Sequence, residues 1–305
     1  MNNTNAEQIR EKRSRLFSWV IFFILLSVSG FVAWQAMSTM QQQWTQDGGV
    51  LRVTQLNVGQ GDGLLVQTPQ GNDILIDAGR DRRILSEIGT VLQPWNTTIE
   101  YVIATHEDAD HIGGFPFIAQ QYQINEWIVS GRTKETTVTK ELHAAQEREG
   151  VMHVATAGES IAIEDGVSLE ILSPDQDVPA HEDINDDSVV AILHYHDFAL
   201  ALTGDAGITS ENEIMKRHEP IDVDILKAGH HGSKTSTSPE FLQWLDPEIV
   251  LISAGQDNDY GHPHYRVLHD IEQYGAWIFR TDKDGRITCE TEGLPGDVQC
   301  SRQYE

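Results

Sequence analysis

The sequence has few basic residues. It contains 21 Lys and Arg against 47 Asp and Glu, a formal charge of −26. Leaving out the first 15 residues, with four basic and two acidic side chains, leaves 17 against 45, or −28. Nonspecific affinity for nucleic acid comes mainly from Lys and Arg that neutralise phosphates. The composition therefore opposes general attraction to nucleic acid, and bound divalent ions would offset only part of that. A saline habitat, where salt screens charge, is an alternative explanation of the acidity.

Charge is also absent from one long stretch. Residues 16–46 contain no Asp, Glu, Lys or Arg, and 16–37 are mostly apolar. As a helix these 22 residues would cross a hydrocarbon core of about 30 Å. The basic excess in 1–15 predicts a cytoplasmic tail, followed by a single-pass transmembrane signal anchor in the inner (cytoplasmic) membrane. The rest of the chain is then predicted to face the periplasm or extracellular side. A cleaved signal peptide is the alternative, but the apolar part is long for one and no clear cleavage site follows.

Cysteine is scarce, with only Cys289 and Cys300. On the predicted outer side a disulfide closing the C-terminal tail is permitted, and two free thiols are the open alternative. Residues 38–49 are predicted to be a linker. Residues 50–305 are long enough for one large α/β domain, with no short-period repeat or second shift in composition.

Apolar alternation and helical periodicity predict the elements of this domain. Strands are predicted at 51–58, 64–68, 73–77 and 99–104, several short ones within 151–172, and further ones at 189–194, 198–203, 222–228 and 248–253. Helices are predicted at 82–92, 138–149, 208–217 and 239–245.

The densest group of metal-capable side chains is the loop from His106 to His111. It follows the apolar run 101–104, so its imidazoles and carboxylates are predicted to lie at a sheet edge and converge on an ion. Buried without partners, such groups would be costly. Two later apolar runs also end in polar groups, at Asp205 and at His230–Ser233. Because ligands collect at strand ends of α/β sheets, these loops are predicted to share one site.

The loop from His106 to His111 is similar to the HxHxDH signature of the metallo-β-lactamase superfamily, with Asp108 in the place of the second His. With Ile112-Gly113-Gly114 after it, the loop resembles the soluble nuclease-like domain of the ComEC family of DNA-uptake channel proteins. The resemblance covers roughly residues 50–290. Further segments that fit it are Asn57–Asp62, Ile74–Gly79, Thr203–Asp205, Gly229–Lys234 and Tyr260–Pro263. It implies the metallo-β-lactamase αββα four-layer sandwich, here preceded by one N-terminal transmembrane helix.

The resemblance also implies a site with one or two divalent ions. One ion would be held by His106 and Asp108, a second by Asp110, His111 and His230, and Asp205 would bridge them. Asp77 would orient a ligating His from behind, and Asp62 would support the site or the substrate. The superfamily's next His is missing near 184–189, so Asp187 or Ser188 is expected to contact the site instead, and His181 is a poorly aligned substitute. One metal position is therefore expected to be weak or empty.

Asp108 makes the first position harder and more anionic, which favours manganese or magnesium over zinc and a phosphate ester over a lactam. Asp110, His262, His231 and Lys234 are the candidate catalytic residues. The resemblance marks His262 for a substrate or leaving-group role, with a packing role as the alternative. Ser233 and Lys234, which lie beside His231 in the sequence, are expected to contact a phosphate. A solvated loop is the equal alternative for Ser233 and Lys234.

The sequence thus predicts a membrane-anchored metallohydrolase, with DNA outside the cytoplasm as the leading substrate. A hydrolase of another small phosphate ester or ester is one alternative. A non-catalytic binding module of an envelope or uptake complex is another. One apolar span cannot form a multi-helix pore, so DNA uptake would need a separate channel protein as partner.

Overall fold

The structure is a computed structural model. It describes residues 19, 25–27, 29–31, 35, 49–148 and 150–304. The chain divides into two units, 1–48 and 49–305. In the first unit the described residues are helical. The predicted cytoplasmic tail 1–15, most of the predicted anchor 16–37 and nearly all of the predicted linker 38–49 lie outside the described residues. No helix found within the described ranges is long and apolar enough to cross a membrane.

The second unit contains two β-sheets with helices outside them. Its strands are β1 (Leu51–Gln55), β2 (Leu64–Gln67), β3 (Asp73–Ile76), β4 (Thr98–Ala104), β5 (Gln123–Val129), β6 (Val151–Val154), β7 (Ser160–Glu164), β8 (Val167–Ser173), β9 (Val190–Tyr195), β10 (Phe198–Leu202), β11 (Ile225–Lys227), β12 (Ile249–Ile252), β13 (Trp277–Arg280), β14 (Ile287–Thr291) and β15 (Gln299–Arg302). Its α-helices are α1 (Arg83–Val91), α2 (Ala109–Ile112), α3 (Phe115–Ile118), α4 (Thr137–Gln146), α5 (Ile208–Arg217), α6 (Pro239–Leu245), α7 (Tyr265–Tyr274) and α8 (Thr281–Asp284). Two short 3₁₀ segments cover Ile184–Asp187 and Gly229–Gly232.

Each sheet has a parallel region that ends at the loops of interest. The first sheet has the order β15-β14-β1-β2-β3-β4-β5-β6, and β3 to β6 run parallel. The second has the order β13-β12-β11-β10-β9-β8-β7, and β10 to β13 run parallel. The carboxyl ends of neighbouring parallel strands meet at one edge of a sheet, so the loops after β3 and β4, and those after β10, β11 and β12, lie side by side.

Alternation along the strands explains the layers. In β3, Ile74 and Ile76 pack into the core between the two sheets, whereas Leu75 packs into a second core under the helices. In β10, Leu200 and Leu202 pack into the core between the sheets, whereas Ala199 and Ala201 pack into the core under the helices of the second sheet. Helices α1 to α4 cover the first sheet, and α5 to α7 cover the second. The result is the four-layer αββα order that the resemblance implied.

Most predicted elements are present, with ends moved by a few residues. The predicted hairpins are confirmed as β2–β3 and β9–β10, both antiparallel. The strand predicted at 51–58 ends earlier, at Gln55, and the one predicted at 222–228 is reduced to β11. The sequence patterns did not identify β5, the short helices α2, α3 and α8, or α7 and the three strands after it.

The two cysteines form a disulfide. Cys289 and Cys300 oppose each other across the antiparallel pair β14–β15, and the structure joins them. The disulfide alternative of the sequence analysis is therefore the one that the structure contains. It fastens the outermost strand, β15, to the first sheet, where β14 pairs with β1.

Candidate metal centre

Four buried side chains from four loops come together between the two sheets. They are Asp62 from the loop after β1, His111 from the loop after β4, Asp205 after β10 and His231 after β11. Their ligand-type atoms all lie within 4.8 Å of one another. His111 Nε2 is 3.2 Å from Asp205 Oδ1, and His231 Nε2 is 3.6 Å from Asp205 Oδ2. We call these four residues the central cluster.

Tight backbone packing holds the Asp62 loop against the others. The amide of Asp62 donates to the carbonyl of Asp110 at 3.1 Å, and Gly79 donates to the carbonyl of Asp62 at 2.6 Å. Gly61 allows this approach, because its φ is +132° and a Cβ there would lie 2.2 Å from the Asp110 carbonyl. From the second sheet, Ser253 donates to the carbonyl of Gly61 at 2.7 Å. The glycine-rich turn therefore inserts Asp62 among loops of both sheets.

Asp62 also has a buried cationic partner. Lys227, the last residue of β11, forms an ion pair with Asp62, and both side chains are about 5% exposed. The Lys227 ammonium also donates to the carbonyl of Ala228 at 2.9 Å. On its other side Asp62 Oδ1 lies 3.2 Å from His231 Nδ1. Lys227 therefore balances part of the negative charge of the cluster and fixes the Asp62 carboxylate.

Asp77 supports His111 from behind. His111 Nδ1 lies 2.7 Å from Asp77 Oδ2, so its other ring nitrogen, Nε2, faces Asp205. Asp77 also accepts hydrogen bonds from the amide and hydroxyl of Thr105, at 2.9 and 2.8 Å. This is the arrangement in which a carboxylate orients a ligating imidazole. The Thr105 hydroxyl lies 3.1 Å from His106 Nδ1, which orients that ring too.

Two adjacent histidines after β11 point to different places. His230 and His231 have φ values of 47° and 56°, in the left-handed region that non-glycine residues seldom adopt. His231 is buried in the central cluster, whereas His230 is partly exposed, with Nε2 3.6 Å from Asp205 Oδ2. Such strain persists only where the surroundings fix it, and it is typical of functional sites.

His106, Asp108 and Asp110 lie at the margin of the central cluster. His106 Nε2 is 4.0 Å from Asp205 Oδ2 and 3.9 Å from Asp108 Oδ2. Asp110 Oδ2 is 3.5 Å from His231 Nε2. The other oxygen of Asp108 contacts the ammonium group of Lys134, from the loop after β5.

The segment where the superfamily His is missing is occupied by a different network. Asp187 is buried and accepts hydrogen bonds from the backbone and the ring of His181, at 3.0 and 2.8 Å. Arg132 Nε lies 3.9 Å from the same carboxylate. Ser188 is also buried, and its hydroxyl accepts from the amide of Asp205 at 3.3 Å. These residues thus border the cluster, and His181 is engaged with Asp187.

An open cavity of about 700 Å³ leads to Asp205. The basic and polar side chains on its wall come mainly from the segments after β11 and β12, and include His230, Ser233, Lys234, Tyr260 and His262. Tyr260 is 60% exposed and stacks on His262, with ring centroids 5.8 Å apart and 26° between the planes. His262 is also 5.6 Å from His230 between ring centroids. The wall also carries the carboxylates of Asp183 and Asp186. The cavity therefore joins Asp205 to a surface of mixed charge with hydroxyl groups and an exposed ring.

The pKa values of the histidines in and around the cluster are shifted in opposite directions. Burial, together with the neighbouring His111, lowers the pKa of His106 to about 4. Burial opposes protonation of His231 as well, but the carboxylates of Asp205 and Asp62 outweigh it and raise that pKa to about 9. For Asp205, burial disfavours the carboxylate, yet the facing His111 and His231 hold its pKa well below the usual range. Burial and the charges of His231 and His230 lower the pKa of His262 to about 4.

The donor set fits a divalent metal ion. Asp62 Oδ1, His111 Nε2, Asp205 Oδ1 and both ring nitrogens of His231 are buried and have no hydrogen-bond partner. Buried polar atoms are normally satisfied, so a group of them converging on one point calls for a further partner. Two imidazoles and two carboxylates suit zinc, manganese or iron rather than a hard all-oxygen site. The identity of the metal is not fixed by this set.

The sequence-predicted residues fall into three groups. Asp62, His111, Asp205 and His231 form the central cluster, with His106, Asp108, Asp110 and His230 around it. Asp77 contacts His111 and Ser188 contacts Asp205, whereas Asp187 is engaged with His181. Ser233, Lys234 and His262 line the cavity. The sequence did not indicate that Lys227 and Lys134 are part of the site. For Lys227 a signal existed, because a lysine follows the apolar pair Ile225-Leu226 two residues before Gly229.

Comparison with known proteins identifies the same fold and the same branch. The family model for the metallo-beta-lactamase superfamily matches residues 56–256. Among solved structures, the metallo-beta-lactamase fold protein YhfI from Bacillus subtilis aligns with a TM-score of 0.52 at 12% identity. That alignment covers 76% of this chain and 96% of YhfI. At this identity the likeness concerns the fold alone.

Three curated relatives are more similar in sequence. ComE operon protein 3 of Bacillus subtilis is 33% identical over 83% of this chain and 34% of its own length. Recombination protein 2 of Haemophilus influenzae is 32% identical over 77% of this chain and 28% of its own length. Competence protein ComA of Neisseria gonorrhoeae is 27% identical over 86% of this chain and 34% of its own length. The chain thus spans about a third of the length of these relatives.

Proposed function

The chain belongs to the metallo-β-lactamase superfamily, in a branch with competence-protein relatives, and we propose that it is a metal-dependent phosphodiesterase that cleaves DNA outside the cytoplasm. The observation that carries this proposal is the central cluster, in which each residue has a buried ligand-type atom without a hydrogen-bond partner and Asp205 lines an open cavity. The relatives named for recombination and competence, together with the resemblance to a DNA-uptake family, support DNA as the substrate.

The residues of the site would divide the chemistry as follows. Asp62, His111, Asp205 and His231 would hold the metal, with Asp110 and His230 beside them. A bound divalent ion supplies the Lewis acidity that activates water and stabilises charge on phosphoryl oxygens. Asp77 keeps His111 in one tautomer through the 2.7 Å contact to Nδ1. The charged Lys227 holds the Asp62 carboxylate in place.

The wall of the cavity would bind the substrate. Lys234 and the hydroxyls of Ser233 and Thr235 can contact a phosphate, and Tyr260 offers an exposed ring on which a base can stack. His262 lies between Tyr260 and His230, where it can reach a leaving-group oxygen. These contacts act at short range, which is how a domain with a large negative charge can still accept a polyanion.

The compartment is also a proposal. An external location is supported by the Cys289–Cys300 disulfide, since disulfides persist in oxidising compartments. The membrane anchor at 16–37 and a separate channel protein stay predictions.

The test is hydrolysis by the full-length purified chain, loaded with manganese or zinc. Substrates are single-stranded DNA, double-stranded DNA and bis-p-nitrophenyl phosphate, with Asp205→Asn as a control for contaminating nucleases. We expect cleavage of DNA and of the small diester, both lost in the variant. Cleavage of the small diester alone would favour a small-ester hydrolase, which the acidic surface makes reasonable. Bound metal without any turnover would favour a non-catalytic binding module.

A further inference from the structure

We propose that Lys134 takes the place of a second metal ion at Asp108, so that this chain holds one tightly bound ion. The proposal rests on the metal binding in the proposed function and not on its substrate. The side of the site in question contains His106, Asp108 and the nearby carboxylate of Asp187. In the resemblance, His106 and Asp108 are the ligands of a separate ion.

The first observation is the position of Lys134. Its ammonium group contacts Asp108 Oδ1, and the two side chains are 39% and 31% exposed. This lysine is held there by its backbone, because Glu107 accepts the Lys134 amide hydrogen bond at 2.7 Å. His143 Nε2 lies 2.6 Å from the other oxygen of Glu107, which keeps that carboxylate in place. The Lys134 carbonyl in turn accepts from the Thr139 hydroxyl at 2.6 Å. The lysine is therefore anchored on both sides of its Cα.

The second observation concerns the contacts of the Asp187 carboxylate. Asp187 belongs to the segment that carries the superfamily His elsewhere, and it is engaged by His181 at 2.8 Å and approached by Arg132 at 3.9 Å. Both carboxylates on this side therefore face a cation or imidazole of the chain itself. That leaves His106 Nε2 as the buried ligand-type atom here without a hydrogen-bond partner.

Comparison with the central cluster indicates which of the two positions binds the metal ion. There, Asp62, His111, Asp205 and His231 each have a buried ligand-type atom without a hydrogen-bond partner, and each residue offers one ligand atom to a group that lies within 4.8 Å. Lys227 contacts Asp62 Oδ2, whereas Asp62 Oδ1 lies 3.2 Å from His231 Nδ1. A cation at Asp108 repels a nearby divalent ion, and at protein dielectric values such repulsion over a few ångströms changes affinity by tenfold or more. The one carboxylate at the position of His106 and Asp108 is thus paired with a lysine, whereas the central cluster offers four convergent ligand atoms although Lys227 pairs with Asp62.

The test counts ions and needs no substrate. The full-length chain is stripped of metal and titrated with Mn²⁺ by calorimetry, and bound ions are counted by native mass spectrometry. We expect one tightly bound ion per wild-type chain. Lys134→Met keeps the aliphatic stem but removes the charge, so we expect a second ion to bind at least about tenfold more tightly than to wild type. Lys134→Arg, which keeps the charge, and Lys140→Met, which changes an exposed lysine 3.5 Å from Glu135, should stay at one.

The outcomes separate this proposal from the proposed function. Two tight ions in wild type, or an unchanged count in Lys134→Met, would overturn the role of Lys134 alone. A count that rises from one to two in a protein that cleaves no diester would support Lys134 and overturn the hydrolase. No bound ion in wild type would overturn both. Circular dichroism of each variant confirms that a changed count does not come from unfolding.

Discussion

Asp110 is the residue that best separates metal binding from folding. Its side chain is partly exposed, and Oδ2 lies 3.5 Å from His231 Nε2, so its charge acts on the site. Its structural contact is made by the backbone carbonyl, which accepts the Asp62 amide. Asp110→Asn should therefore weaken metal binding and abolish turnover, with the thermal midpoint changed little. Mass-spectrometric metal content, turnover and a melting curve check this. A variant that unfolds would assign Asp110 a structural role.

His262 is expected to act on the substrate. Its Nδ1 is buried without a hydrogen-bond partner, while its backbone is fixed by Asn258, which donates to its carbonyl at 2.6 Å. His262→Ala should keep the metal and lower the DNA cleavage rate by about 10²–10⁴-fold, the usual contribution of general acid–base catalysis. Because the pKa of the free ring is lowered to about 4, the ring can donate a proton only when the negative charge of a bound phosphate raises that pKa. The loss should be smaller for bis-p-nitrophenyl phosphate, whose leaving group needs little protonation. If the variant loses metal as completely as Asp110→Asn, His262 is instead a ligand.

The neighbouring side chains of the site could be predicted from the sequence, but their partners could not. His106, Asp108, Asp110 and His111 follow one strand, so their proximity is fixed by local chain geometry. The contacts of Lys134 with Asp108 and of Lys227 with Asp62 join different loops. Such pairs depend on how the strands are ordered in space, which periodicity along one strand does not specify. The motif therefore gave the location of the site and left its internal charge balance open.

Strand β3 contains an acidic side chain that links stability to pH. Asp73 is 2% exposed, and burial raises its pKa to about 7 despite hydrogen bonds from Gln67 and Asn96. Between pH 4 and 7 the unfolded chain releases this proton and the folded chain keeps it. Raising the pH through this window therefore favours unfolding, by at most about 4 kcal/mol. The unfolding free energy of wild type minus that of Asp73→Asn should become smaller as the pH rises over this range. A difference that does not vary with pH would contradict this.

The disulfide should matter for one element more than for the whole domain. Cys289 and Cys300 close a short loop, and such a crosslink contributes up to about 3 kcal/mol by the chain-entropy model. It joins β15, the edge strand, to β14. The double variant Cys289→Ser/Cys300→Ser should therefore lose hydrogen-exchange protection first at β15, with a lower melting temperature. Protection lost equally in β3 and β10 would show that the crosslink supports the entire domain.

The elements differ in how well the sequence indicated them. Strands β3, β4 and β10 are short apolar runs with clear polar boundaries, and they were predicted to within two residues. Strands β14 and β15 are different, because they carry threonine, glutamate and glutamine with few apolar residues. The pairing of β14 with β1, and of β15 with β14, depends on the return of the chain to the first sheet, which is set by tertiary structure. Local pattern is weak wherever a strand lies at an edge and half of its surface stays in water.

At the scale of the whole molecule, charge should govern how DNA reaches the site. The part after residue 15 carries a formal −28, so it repels a polyanion at long range even though the cavity offers Lys234 and hydroxyl groups nearby. Repulsion between exposed charges extends about 30 Å at 0.01 M salt and about 10 Å at 0.1 M. Raising sodium chloride between these values, at fixed manganese, should therefore increase kcat/KM for a DNA oligonucleotide.

This direction is opposite to that of proteins whose lysines and arginines neutralise many phosphates, for which salt weakens binding. Bis-p-nitrophenyl phosphate serves as the control, because it uses the same metal but carries a single charge. Its kcat/KM should stay nearly constant, which separates screening of the substrate from any effect of salt on metal loading. A rate on DNA that falls with salt while the small diester is unaffected would mean that a basic surface, and not the cavity alone, captures the strand.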